Sequence, residues 1–67
     1  MNSFVSVIRN KRADEIRVGN TAQGRDGVWR TVKVVKSKAK AVGTCIMIGF
    51  AGGRTDSFDS YEMIKTK

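Results

Sequence analysis

Lys36, Lys38 and Lys40 alternate along the chain. In an extended backbone alternate side chains lie on one side, so the three ammonium groups can follow a phosphate backbone. A second basic cluster, Arg9-Asn10-Lys11-Arg12, lies near the N-terminus. Arg25 stands within Gly24-Arg25-Asp26-Gly27, where a hairpin tip is expected and where a guanidinium can enter a groove. Arg30 and Lys33 follow on one alternating segment and project to opposite faces if the alternation is regular. Trp29 sits among them, and an outward-facing indole stacks on a base with about 1–3 kcal/mol. Each cluster also reads as an ordinary solvated surface. Trp29 also reads as a core side chain turned inward by a small bulge, or, with Tyr61, as part of an aromatic cage for methylated side chains.

Other chemistry has little to stand on. The chain contains no His, which removes the usual general base and the Ser-His-Asp arrangement. Cys45 is the single cysteine, so it has neither an imidazole to activate it nor a disulfide partner, and one thiol does not build a zinc site. Its neighbours Thr44 and Ile46 suggest a packed mid-strand thiol. Asp14, Glu15, Asp26, Asp56, Asp59 and Glu62 fall mostly where turns and caps are expected. Gly52-Gly53-Arg54 lacks the spacing and lysine of a phosphate loop. The expectation is a non-enzyme with no metal and no cofactor.

The net charge is +7, and it is unevenly placed. Residues 1–40 carry ten basic and three acidic side chains, whereas residues 41–67 carry three of each. Such asymmetry points to a polyanionic partner, DNA or RNA before an anionic surface. With 67 residues there is room for one domain. A core of this size supplies about 3–5 kcal/mol, which makes a homodimer or a complex with a partner or host protein a second reading. The longest nearly apolar run, Val42 to Gly52, is about half of what a membrane-spanning helix needs. Met1-Asn2-Ser3-Phe4 does not have the makings of a signal peptide. A cytoplasmic protein with a reduced thiol is expected.

Seven glycines and no prolines punctuate short apolar runs, which favours strands joined by turns. Strands are expected at Phe4–Ile8, Glu15–Val18, Val28–Val35 and Val42–Phe50, then at Thr55–Phe58 and Ile64–Lys67. On the third of these, Val28, Val32 and Val34 share a face, and the Val34-Val35 doublet marks a bulge or strand end. Asn10–Asp14 is expected as a basic connection and Lys36–Lys40 as a basic loop. On Val42–Phe50 one face holds Ile46, Ile48 and Phe50. The other holds Gly43, Cys45, Met47 and Gly49 without a charge, so both faces should be covered. Cys45 and Met47 are therefore the expected interface, under the Phe4–Ile8 strand or a second subunit. Asp59 and Glu62 have capping-box spacing for one helical turn before the last strand.

This order resembles the Src-homology-3-like small barrels. Glu15-Ile16-Arg17-Val18-Gly19-Asn20 is similar to their entry strand, with Asn20 in place of the usual Asp. Gly27-Val28-Trp29 with Val32 and Val34 is similar to their second strand. Ile46-x-Ile48-x-Phe50 with Gly52-Gly53 is similar to their central hairpin, and Phe58-x-x-Tyr61-Glu62-x-Ile64 to their helical turn and last strand. The resemblance implies an all-β, five-strand barrel over residues 15–67, preceded by an added strand and basic arm over residues 1–14. Tudor and chromo-barrel modules, KOW-type domains, retroviral integrase C-terminal domains and type II dihydrofolate reductases share that fold with unrelated functions. The reductases' Val-Gln-Ile-Tyr run corresponds to Ile46-Met47-Ile48-Gly49, which lacks the Gln and Tyr. The resulting expectation is a nucleic-acid binder of low sequence specificity. The alternative is an interaction or dimerisation module of the small, stand-alone format found among phage and plasmid accessory proteins.

Overall fold

The computed structural model describes residues 7–67. The expected strand Phe4–Ile8 lies mostly outside the described residues, and Val7 and Ile8 belong to no strand. Six strands form: β1 (Arg9–Arg12), β2 (Thr21–Gln23), β3 (Trp29–Ala39), β4 (Thr44–Phe50), β5 (Thr55–Asp59) and β6 (Met63–Thr66). A 3-10 turn, Ala13–Glu15, separates β1 from β2. All pairings are antiparallel, in the order β1-β6-β2-β3-β4-β5. The domain is therefore all-β as expected, but as an open six-strand sheet in place of a closed five-strand barrel. No helix among the described residues is long and apolar enough to cross a membrane.

The core is Ala13, Ile16, Ala22, Val32, Ile46, Ile48, Phe50, Phe58 and Ile64, with Val35 packed against it. The alternation Ile46, Ile48, Phe50 puts one face of β4 inside, as its period of two requires. On β3 the alternation is interrupted. Val32 pairs with Phe50 but Val34 pairs with Gly49, so β3 carries one extra residue at Lys33. The bulge reverses the facing: Val32 is buried, Val34 is exposed and Val35 turns back to the core. The doublet Val34-Val35 does mark an irregularity, but Val34 does not share the buried face, and Val28 is exposed as well. Gly49 accommodates the outward Val34, because a Cβ on it would stand 3.2 Å from the valine Cβ.

Several expected boundaries move. Glu15–Val18 is not a strand: Ile16 alone is buried, and Val18 is 62% exposed. Thr21–Gln23 takes its place beside β6. Arg9–Arg12 pairs with β6 instead of connecting two strands. An edge strand with a solvated face has no need of an apolar alternation, which is why its polar sequence concealed it. Lys36, Lys38 and Ala39 belong to β3, not to a loop. Val42 is in the turn after β3 and is 87% exposed. The helical turn expected before the last strand is a hydrogen-bonded turn, Glu62 N–H to Asp59 O at 3.0 Å. Half of the expected capping box is present, since the Glu62 carboxylate accepts the Asp59 N–H at 2.7 Å.

Both expected tight tips form. At Gly24–Gly27 the chain reverses with Gly27 at φ 80° and its N–H on the Gly24 carbonyl at 3.0 Å. Asp26 Oδ1 accepts the Val28 N–H at 3.1 Å. Between β4 and β5, Gly52 and Gly53 take φ of 91° and 86°, a region that side-chain-bearing residues rarely occupy.

A candidate nucleic-acid interface

All six carboxylates are engaged. Asp14 bonds Arg12 at 2.7 Å, Asp26 bonds Arg30 at 2.9 Å and Asp56 bonds Arg54 at 3.0 Å. Glu62 bonds Arg25 at 2.8 Å, Asp59 bonds Lys40, and Glu15 accepts the Arg12 backbone N–H at 3.0 Å. Arg17 spends its guanidinium on the carbonyls of Asp14 and Ile16. Of the remaining cations Arg9, Lys11, Lys33, Lys36, Lys38, Lys65 and Lys67, none pairs with a carboxylate among the described residues. The nine cations singled out beside Trp29 from sequence thus divide: Arg12, Arg25, Arg30 and Lys40 are held in ion pairs, while Arg9, Lys11, Lys33, Lys36 and Lys38 are in none among the described residues.

Arg25 has a structural task. Its Nε and Nη2 donate to the Ser57 carbonyl at 3.1 and 2.9 Å, and its guanidinium lies 4.4 Å from the centre of the Phe58 ring. Its own N–H reaches Asp56 at 3.2 Å. The β2–β3 tip is thereby fastened to β5, whose free edge would otherwise show unpaired carbonyls. Arg25→Ala is expected to lower stability by about 1–2 kcal/mol, given the partial exposure of these bonds, and to leave nucleic-acid affinity nearly unchanged. Denaturant unfolding checks the first effect and a binding titration the second.

Two faces carry the unpaired cations. In an antiparallel pair, residues directly opposite share a face. Lys36 lies opposite Met47 and Lys38 opposite Cys45, on the outer side of β3–β4. The expected common facing of Lys36 and Lys38 is present, whereas Lys40 turns to Asp59. That face also holds a groove of about 270 Å³ lined by Val34, Lys36, Met47, Gly49 and Thr55. Met47 is 36% exposed and Cys45 half-buried, so the covered face expected from their apolar character is open among the described residues.

The second face was not foreseen. Ala22 pairs with Thr66, and both are buried, so Lys65 and Lys67 project outward. Asn10 lies opposite Lys65, and Gln23 opposite Trp29, on this same outer side. Neighbouring strands are about 4.8 Å apart, so Asn10, Lys65, Gln23 and Trp29 make a row about 14 Å wide across four strands. Trp29 is half-buried, outside the core cluster, with Lys67 Nζ 4.5 Å from the centre of its ring. Lys65 and Lys67 went unnoticed because residues 41–67 have balanced charge. Their importance depends on β6 lying between β1 and β2, a long-range pairing.

The ion pairs set the acid response. Lys40 beside Asp59 holds that carboxyl below its ordinary value. Burial works upward on Asp26, but the Val28 N–H, Arg30 and Arg54 together bring it down. For Glu62 the Asp59 N–H, then Arg25, act downward. Groups with a lowered folded pKa contribute stability that is present above their ordinary values, here 3.8 to 4.5, and lost as pH falls through the folded ones. Thermal stability is expected to be level from pH 7 to about 5 and to drop below about 4, as a melting series in pH will show.

No protein-family model, curated protein or solved structure matches the chain.

Proposed function

We propose that the protein binds nucleic acid through its unpaired cations, with little sequence specificity. The observation that carries this reading is the division of charge. Each Asp and Glu carboxylate has a partner, so the excess is concentrated in side chains that pair with no carboxylate among the described residues, chiefly Lys36 and Lys38 on one face and Arg9, Lys11, Lys65 and Lys67 around β1 and β6. Ammonium groups held in a row at strand spacing suit phosphates, and phosphate contacts carry no base information. The test is a salt titration of binding to duplex and single-stranded DNA and RNA. Neutralising about five phosphates gives a slope of log K against log salt near −4 to −5 for duplex DNA. No binding in low salt, or binding indifferent to salt, removes the reading.

We propose a Src-homology-3-like domain in which β2, β3, β4, β5 and β6 are the five strands and β1 is an addition. Support comes from the order β6-β2-β3-β4-β5, a four-strand meander, β2 to β5, whose first strand β2 also pairs with the chain's last strand β6. Fastening of the β5 edge by Arg25 stands where a barrel would close. A second reading, self-association through the outer face of β4, draws on the exposed Met47 and Val34. Sedimentation of a monomer at high concentration would remove it.

A further inference from the structure

We infer that the nucleic acid bound is single-stranded, and that it has a two-part subsite: a base on Trp29, and a phosphate further along the same strand at the sheet edge between Arg9, Lys11 and Lys67. This rests on the nucleic-acid reading above and narrows it.

Three observations converge. First, Trp29 is the single tryptophan, and it is half-buried on the outer sheet face. Its ring meets a cation, Lys67 at 4.5 Å, where an inward ring would meet the core. An aromatic surface beside a cation is what an unpaired base requires; in a duplex the base faces are already stacked on one another. Second, a cavity of about 260 Å³ opens where β1 meets the end of β6, lined by Val7, Arg9, Lys11, Thr66 and Lys67. Its three cations pair with no carboxylate among the described residues. Arg9 and Lys11 lie opposite Thr66 and Ile64, so they point to the core side of the sheet but at its edge, beyond the core. Third, Lys67 belongs to both places: it lines the cavity and touches the indole. One side chain therefore joins an aromatic platform to a cationic pocket, and an extended strand with a base on the platform can run its backbone past Lys67 to the pocket at the sheet edge.

The surroundings fit an extended single strand better than a rigid duplex. The row Asn10, Lys65, Gln23 and Trp29 offers amide and ammonium groups across a sheet surface. Among the described residues the platform has no helix or long loop that could enter a duplex groove.

The test uses the full chain with oligo(dT), oligo(U) and a duplex of equal length, about ten nucleotides. Anisotropy of a label on the nucleic acid reports binding, and emission of the single Trp reports contact with the ring. Tighter binding of either single strand than of the duplex, with Trp29 emission quenched in step with occupancy, supports the subsite. Whichever of the two quenches at lower concentration identifies DNA or RNA as the source. Duplex binding at least as tight, with Trp29 emission unmoved by bound single strands, overturns the subsite while leaving the broader reading intact. No anisotropy change with any of the three in low salt overturns the broader reading itself. Trp29→Leu should weaken single-strand binding about 5- to 100-fold and duplex binding far less. Should that variant not fold, Arg9→Gln with Lys11→Gln carries the test from outside the core, at the sheet edge. These should weaken single-strand binding about 10-fold while leaving the quench at saturation unchanged. Unaltered affinity in this double variant overturns the phosphate pocket.

Discussion

Replacing Asp56 with alanine is expected to lower stability by about 2–3 kcal/mol and the melting temperature by about 10–20 °C. Asp56 is the one buried acidic residue among the described residues. It lies on β5 opposite Ile48 and so points to the core side of the sheet. One of its oxygens accepts the Arg25 backbone N–H at 3.2 Å and Arg54 Nε at 3.0 Å. The first bond ties the β2–β3 tip to the β4–β5 hairpin, elements far apart in sequence, and the second holds the carboxylate within that hairpin. Alanine would leave a half-buried N–H without its acceptor and a void beside Phe50 and Gly24. For a domain whose core supplies about 3–5 kcal/mol, that is about half or more of the total. Asp56→Asn keeps one oxygen acceptor and should recover part of the loss. A melting temperature for Asp56→Ala within about 3 °C of the parent, which corresponds to less than about 1 kcal/mol, would sink the argument.

Gly24 supplies an independent check on the same contact. A Cβ on Gly24 would stand 2.8 Å from Asp56 Oδ2 and 3.1 Å from Asp26 Oδ1. The Asp56 carboxylate cannot simply swing away, because both bonds above hold it. Gly24→Ala should cost about 1–3 kcal/mol. In the Asp56→Ala background the nearer of the two contacts is gone and the Asp26 one remains, so the second substitution should cost less. That non-additivity, read in a double-mutant cycle, separates this clash from any general intolerance of the turn.

What the sequence disclosed and what it withheld follow from the range of each interaction. Ile46, Ile48 and Phe50 declared their face by spacing alone, and they are buried. The two glycine tips declared themselves because positive φ is a local demand. The facing of Val34 required knowledge of an extra residue at Lys33, and a bulge is set by the partner strand, so only its neighbourhood was legible. Val18 has strong strand propensity and yet lies exposed outside any strand, because tertiary pairing overrode it. The candidate site was legible in half. Lys36 and Lys38 share a face as their spacing required, and Trp29 is on the outside beside a lysine. Arg25 looked like a free tip and is instead the fastening of β5. Lys65 and Lys67 looked like a neutral end and stand beside the tryptophan row, because β6 lies between β1 and β2.

The division between paired and unpaired cations has its own measurable consequence. Replacing Lys36, Lys65 and Lys67 together with glutamine is expected to weaken duplex or single-strand binding by about 10²–10³-fold near 0.1 M salt. Each lost phosphate contact removes about 0.9 from the salt slope on duplex DNA and about 0.7 on single strands. Arg30 and Lys40 carry the same formal charge, but a phosphate reaches them only by displacing Asp26 or Asp59. Glutamine at these two positions should therefore change the slope much less than at the unpaired ones. The reverse substitution sharpens the point. Asp59→Asn removes the carboxylate that holds Lys40, adds a unit of positive charge and returns Lys40 to the row begun by Lys36 and Lys38 on the outer face of β3. It should strengthen binding several-fold and steepen the salt slope by up to about 0.9, although it deletes a negative group that no ligand touches. Equal losses from Arg30 and Lys65, or no gain from Asp59→Asn, would show that long-range charge alone governs affinity and that the pairing pattern does not direct the ligand.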